Sequence, residues 1–141
     1  MPFRLTITMV SLTLIVPAVI GGWSTVDYIQ TEQRIRTEII RVFAAAQRYV
    51  QAGSGGEMLE MNLRGGAYTR VEYLLLGDLS EGAYSRAARY KLSGGQEQVM
   101  IARNPSVDFH SSDGGRIKLQ EGVHNLEIEC IDGVGITVRL V

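Results

Sequence analysis

Cysteine is nearly absent from this chain, which has only Cys130 among its 141 residues. An intrachain disulfide is therefore excluded, and with it the covalent framework on which many small secreted domains depend. We interpret Cys130 as a small buried side chain on a strand, because it lies in an alternating apolar stretch. Histidine is also scarce: His110 and His124 lack metal-ligand spacing, so we expect solvated turn residues, no metal and no cofactor.

The chain also lacks an excess of either charge, with 14 Lys and Arg residues against 15 Asp and Glu residues and a net charge of -1. The basic residues form no cluster, which argues against nucleic acid as a partner. Ser106 has no Gly-x-Ser-x-Gly setting, and neither Gly94-Gly95 nor Gly114-Gly115 precedes a Lys-Ser or Lys-Thr helix start. We therefore expect neither an enzyme nor a protein that binds a small-molecule substrate.

Charge is entirely absent from Leu5 to Val26. Residues 5–23 alone would extend roughly 30 Å as a helix, enough to cross the apolar layer of a bilayer. A removable signal peptide is the main competing interpretation, but its apolar region usually spans only about 7–15 residues and ends in a small-residue cleavage site, which Gly21-Gly22-Trp23 matches poorly. Because Arg4 precedes the run, we expect a membrane-inserted precursor with a cytoplasmic N-terminus.

The helical pattern continues beyond the apolar run. Apolar residues at a spacing of three or four follow, namely Tyr28, Ile35, Ile39, Val42, Ala46 and Tyr49. The series is interrupted only where Glu32 takes an apolar place. Glycines after Ala52 end the helix, since glycine readily adopts the left-handed geometry of a C-terminal cap. The sequence therefore predicts one helix of roughly 70 Å over residues 1–52, apolar over 5–23 and amphipathic over 24–52.

Helix breakers lie inside the apolar run. Pro17 removes a backbone donor, and Gly21 and Gly22 each disfavour the helix by roughly 1 kcal/mol relative to alanine, so we expect a kink or a locally opened turn there. The stretch from Ser24 to Asp27 could then cap a restarted turn. In a subunit that bends as it packs against its neighbours, these residues would be the place of bending.

Residues 57–141 change to an alternating pattern with glycine-rich turns, which predicts a β-rich head domain. We expect three hairpins: Leu59–Leu63 with a strand that has Val71, Tyr73 and Leu75 on one face, Tyr84–Leu92 with Val99–Ile101, and Leu126–Cys130 with Ile136–Leu140. Short segments near Val107 and Ile117 bring the total to seven or eight strands. The predicted fold class is α+β: a long N-terminal hydrophobic and amphipathic helix followed by a small antiparallel β-sheet or β-sandwich head.

This arrangement resembles the type IV pilin superfamily, in particular the archaeal pilins and archaellins. The resemblance rests on the apolar stretch Leu5–Trp23, the amphipathic extension Ser24–Gln51 and the strand-rich remainder from Met58. It implies a precursor trimmed by a prepilin peptidase, a filament core of bundled apolar helices and an outer surface of heads. If Met1 is the first mature residue, Leu5 stands where many bacterial members have an acidic residue, which favours the archaeal branch.

A filament is also expected on physical grounds, because a lone secreted protein does not tolerate so much exposed apolar surface. We expect the chain to polymerise with copies of itself at the cell surface through residues that pack in a helical core, namely Leu5, Ile7, Leu12, Leu14, Ile15, Val19, Ile20, Tyr28, Ile35, Ile39, Val42 and Ala46. The alternative is a single-pass, membrane-anchored β-domain that binds a surface partner. In that case the stripe at Ile35, Ile39, Val42 and Ala46 would pack only on its own head or form a small coiled coil.

Overall fold

The structure is a computed structural model that describes residues 2–77, 85–105, 107–111, 116–131 and 135–141, with the backbone alone described for 2–14 and Ile131. The single helix in this part of the chain, α1, spans Pro2–Ala52. Eight strands follow within the described ranges: β1 Gly55–Leu63, β2 Val71–Leu76, β3 Ala87–Leu92, β4 Gln98–Ile101, β5 Phe109–Ser111, β6 Ile117–Leu119, β7 Gly122–Ile131 and β8 Gly135–Leu140.

The helix α1 has the predicted length, and it is continuous through Pro17, Gly21 and Gly22. The prediction of a restarted turn near Ser24 is wrong, because the hydroxyls of Ser24 and Thr25 both donate to the Gly21 carbonyl at 3.0 Å inside the helix. At the C-terminal end, the N–H of Gly53 donates to the Val50 carbonyl at 3.2 Å with a φ of 84° at Gly53. This left-handed residue confirms the predicted glycine cap.

The strands form two four-stranded sheets, which confirms the α+β class. One sheet has the order β1-β7-β8-β5 and the other the order β4-β3-β2-β6. The pairs are antiparallel except for β5 and β8, which are parallel. The prediction of antiparallel pairing is therefore wrong for this one pair. After β4 the chain crosses to the other sheet, where β5 forms an edge strand, and it then returns to the sheet of β4 with β6.

Two of the three predicted hairpins are confirmed, namely β3 with β4 and β7 with β8. The first is wrong: β1 pairs with β7, whereas β2 pairs with β3 and β6. The connection after β1 is not a tight turn but a loop that carries the chain from one sheet to the other. The predicted face of β2 is only partly right: Val71 belongs to the core, but after a register shift between Val71 and Tyr73 it is Leu74 and Leu76 that join it there.

One hydrophobic core joins the helix to both sheets. Its members come from the C-terminal half of α1 and from strands of each sheet, and they include Ile39, Met61, Leu76, Tyr90, Phe109 and Ile128. Cys130 is a free thiol on β7 and is buried, as predicted. The helix is therefore part of the head over its second half, which decides which of its faces remain open.

Candidate assembly surface of the helix

The predicted filament-core stripe lies under the head of its own chain. Ile35, Ile39 and Ala46 are 0% exposed and Val42 is 1% exposed, and all four belong to the core. The prediction that these residues face neighbouring helices is therefore wrong. Their three-four spacing correctly marked a buried face, but periodicity alone does not say whether the cover comes from the same chain or from another copy.

Asp27 marks the point where the head begins to cover the helix. Its carboxylate accepts hydrogen bonds from the backbone N–H groups of Ala67 at 3.0 Å, Tyr68 at 3.0 Å and Thr69 at 2.8 Å. The Tyr68 N–H, followed by the Thr69 side chain and the other N–H groups, lowers the pKa of Asp27 below its ordinary value despite partial desolvation. Any side chain at Gly66 would collide with this carboxylate, so the loop approaches the helix closely.

Glu32 explains the gap in the apolar spacing. The hydroxyl of the buried Tyr90 donates to the Glu32 carboxylate at 3.0 Å. Burial, together with this hydrogen bond, raises the pKa of Tyr90 well above its ordinary range, so the phenol remains protonated and able to donate. The carboxylate therefore provides the acceptor that a buried tyrosine needs, and an apolar residue at this position would leave the hydroxyl unpaired.

Further polar contacts tie the covered half of the helix to β1 and the loop that follows it. Arg34 donates to the Arg64 carbonyl at 2.9 Å, the Asn62 N–H donates to Glu38 at 3.2 Å, and Arg48 pairs with Glu57 at 2.8 Å. Each is partly exposed and contributes little by itself. Together with Asp27 and Glu32 they fix the rotation of α1 relative to the head.

Tyr28 lies at the same boundary as Asp27. Its ring is half-buried and packs against the core, and its hydroxyl lies close enough to Gly95 that any side chain there would collide with it. Tyr28 therefore packs against its own head, and its packing in a filament core stays a prediction for the part of the ring that the head leaves open.

Upstream of this boundary, Ser24 is half-buried and lines a pocket with Tyr68 and Ser93 of the head, and the other described side chains of the helix are exposed. Ile15 is 58% exposed, Val19 and Ile20 are each 49% exposed, and Trp23 is 62% exposed. Pro17, Gly21 and Gly22 are exposed as well, and a side chain at either glycine would meet nothing within 4 Å. This bare half of the helix, residues 15–26, thus presents apolar side chains without any cover from its own head.

The remaining predicted core residues, Leu5, Ile7, Leu12 and Leu14, belong to α1, but their side chains lie outside those that the structure describes. The same holds for residues 5–14 of the predicted apolar span. Within the described part of the chain, no helix is apolar over a length sufficient to cross a bilayer.

The sequence analysis missed a second apolar stripe, which continues from the bare half onto the outward side of the covered half. Val26, Ile29 and Ile40 are 45%, 49% and 55% exposed. Val19, Val26 and Ile40 are separated by multiples of seven residues, so they lie on nearly the same side of the helix, although the exposed Gln33 takes the intervening place and interrupts the stripe. Ile40 follows directly after the buried Ile39 and lies at the margin between the helix and β4. This heptad spacing is present in the sequence. The more regular stripe of Ile35, Ile39, Val42 and Ala46 was predicted as the assembly face instead.

Both histidines lie on strands, so the prediction of solvated turn residues is wrong. His110 on β5 is 9% exposed, and its Nε2 lies 3.3 Å from the Thr137 hydroxyl. Ser85 donates to Asp108 at 2.8 Å, but no contact joins this pair to His110 among the described residues. In that part of the chain no group of three His, Cys, Asp or Glu residues could hold a metal ion.

No protein-family model matches the chain, and the comparisons with curated proteins and with solved structures found no match either. Its function therefore has to be inferred from its own residues and geometry. The resemblance to type IV pilins remains one of pattern: an uncharged start, a long helix and a β-rich remainder.

Proposed function

We propose that this chain is a structural subunit that polymerises through its N-terminal helix into an extracellular, type IV pilus-like filament. The observation that carries the proposal is the bare half of the helix, where Ile15, Val19 and Trp23 are about half exposed or more. Soluble monomers rarely expose a contiguous apolar patch larger than a few hundred Å². Copies of the helix packed side by side would remove this surface from water.

The division of the molecule into a rod and a head supports an open polymer. The head begins to cover the helix between Ser24 and Asp27, so the apolar segment upstream projects at one end. A contact between two different patches of neighbouring copies does not close on itself and continues as a helical filament. The two sheets, which share one core with the helix, would form a small β-sandwich on the filament surface.

The second candidate function is a single-pass, membrane-anchored β-domain that binds a surface partner. One observation favours it: Ile35, Ile39, Val42 and Ala46 pack on their own head, which is one of the two arrangements expected for this alternative. In that case the bare half would be covered by lipid, and copies of the chain would not need to meet.

Electron microscopy of sheared surface material, combined with mass spectrometry, separates the two candidates. If the proposal is right, the chain is a main component of sheared filaments. If the chain occurs only in detergent-extracted membranes and never in sheared filaments, the polymer proposal fails and the anchored module is favoured.

A matched pair of variants tests the surface itself. We expect Val26→Glu to prevent polymerisation, because it places a carboxylate in the middle of the exposed apolar stripe. Gln120→Glu adds the same charge at an exposed position of the head, directly after β6, and should leave polymerisation unchanged. Negative-stain microscopy and sedimentation after detergent removal measure both. Normal polymers from Val26→Glu would contradict the proposed surface.

A further inference from the structure

A groove of about 370 Å³ opens between the outward side of α1 and the edge strand β4. Ile40, Phe43 and Ala44 line it from the helix, and Met100 and Ile101 line it from β4. The Phe43 ring stacks on the core residue Phe109 with a centroid distance of 5.6 Å, so this wall belongs to the packed interior. The groove is therefore a preformed apolar feature of the head, at the low end of the size range of binding pockets.

We infer that this groove receives the segment around Trp23 from a second copy of the chain. The inference rests on the proposed function, because it names the contact through which that polymer would grow. Trp23 is 62% exposed and has no cover within its own chain. A large aromatic side chain that enters a preformed apolar pocket is the usual anchor of a protein interface.

Charge supports a second copy as the occupant. Arg103 is the one charged side chain among the described residues that line the groove. The segment from Leu5 to Val26 carries no charge at all, so it could enter the groove without desolvating an ion of its own. A charged partner segment would lose its hydration on entering the groove. The described lining has no carboxylate that could pair with a cation, and Arg103 is its only partner for an anion.

The geometry of the contact leads to a filament. Trp23 precedes Phe43 by about 20 residues, so two parallel helices joined in this way are shifted by roughly 30 Å. The bare half of one copy then lies beside the covered half of the next, where Ile40 and Ala44 continue the apolar stripe. Trp23 and the groove are different patches of the surface. Each added copy therefore leaves one unoccupied groove and one unbound Trp23 at the two ends of the polymer, and the assembly can continue to grow.

Photo-cross-linking in the full-length chain tests this contact directly. A photoreactive phenylalanine derivative replaces Trp23. Isotopically heavy and light chains are mixed in detergent, the detergent is removed so that polymers can form, and the sample is irradiated. We expect heavy-to-light cross-links from position 23 to residues 98–105 or 40–47. Cross-links mainly between two positions 23 would indicate a symmetric pair of helices and overturn the inference, as would cross-links to detergent alone.

Two variants on β4 provide the matched functional test. Ile101 lines the groove, whereas Val99 lies on the same strand, is 44% exposed and does not line it. We expect Ile101→Lys to raise the critical concentration for assembly about tenfold or more, because one buried aliphatic side chain is worth at least that factor. Val99→Lys should leave it within about twofold, the scale of ordinary surface substitutions.

The outcomes separate the inference from the proposed function. If the wild-type chain forms no polymer, the proposed function fails and the groove contact fails with it. If the polymer forms but position 23 cross-links elsewhere, or if both lysine variants assemble equally well, the groove contact alone is wrong.

Discussion

Both halves of the helix carry a stripe of apolar side chains, but these side chains have different surroundings. Over residues 15–26 no described side chain is buried, whereas from Thr31 onwards a continuous face is sealed by the head. The covered half is held by polar contacts at its edges and by the core beneath it. The bare half has neither, so its apolar residues require an environment that the chain itself does not supply. Within one helix, apolar periodicity thus marks a face buried by the head in one half and an exposed face in the other.

The adjacent residues Ile39 and Ile40 provide the strongest test of this difference. Ile39→Ala should lower the free energy of unfolding by about 2–5 kcal/mol, because it leaves a cavity in the core. Ile40→Ala should change it by no more than about 0.5 kcal/mol, since Ile40 is 55% exposed. Urea unfolding in mild detergent, followed by circular dichroism, measures both. Equal losses would show that the two faces of the helix are not distinct.

Gly21 and Gly22 test the bare half. No intrachain contact requires either glycine, so Gly21→Ala should stabilise the local helix by up to about 1 kcal/mol in the dispersed chain. Hydrogen exchange of residues 15–26 should become slower. Ala18→Gly, an exposed change in the opposite direction, should make it faster. Unchanged exchange in both variants would mean that this segment is not an uncovered helix.

Substitution of Asp27 tests the boundary between the two halves of the helix, and we expect it to change stability less than the preceding substitutions. Because the folded-state pKa of Asp27 is lowered, its ionised form stabilises the fold above its ordinary pKa of 3.8, and this contribution is lost as the pH falls through the lower folded value. Asp27→Asn should therefore unfold at a lower temperature than wild type at pH 7, and the difference should shrink below about pH 4.

The control for this titration is Glu60→Gln, which removes one negative charge from an exposed position on β1. At pH 7 the unfolding temperature of Glu60→Gln should stay close to that of wild type, as for an ordinary exposed substitution. A difference between wild type and Asp27→Asn that stays constant down to pH 2.5 would mean that the three N–H groups do not hold the ionised carboxylate.

Local patterns in the sequence correctly predicted much of the fold. The helix bounds followed from the uncharged run, the apolar spacing and the glycine cap, and two hairpins followed from alternation around short turns. The first hairpin could not be predicted in this way. β1 pairs with β7 from Gly55↔Cys130 to Leu63↔Gly122, a choice between distant segments that no local turn specifies.

The candidate surface was predicted only in part. Ile15, Val19 and Ile20 were named and are exposed, whereas Ile35, Ile39, Val42 and Ala46 were named and are buried by the head. Trp23, Val26, Ile29 and Ile40 were not named, although their spacing was present in the sequence. The role of Asp27 as an acceptor for the loop at 67–69 had no local signal, because its partners lie about 40 residues further along the chain.

The sequence by itself determined that the chain has a long helix with an uncharged start and a β-rich remainder, because these depend on residue order and local periodicity. Tertiary structure alone decided which apolar stripe serves the fold and which stays open. That choice depends on the rotation of α1 relative to the head, which Asp27, Glu32 and the shared core set through contacts between residues far apart in the chain.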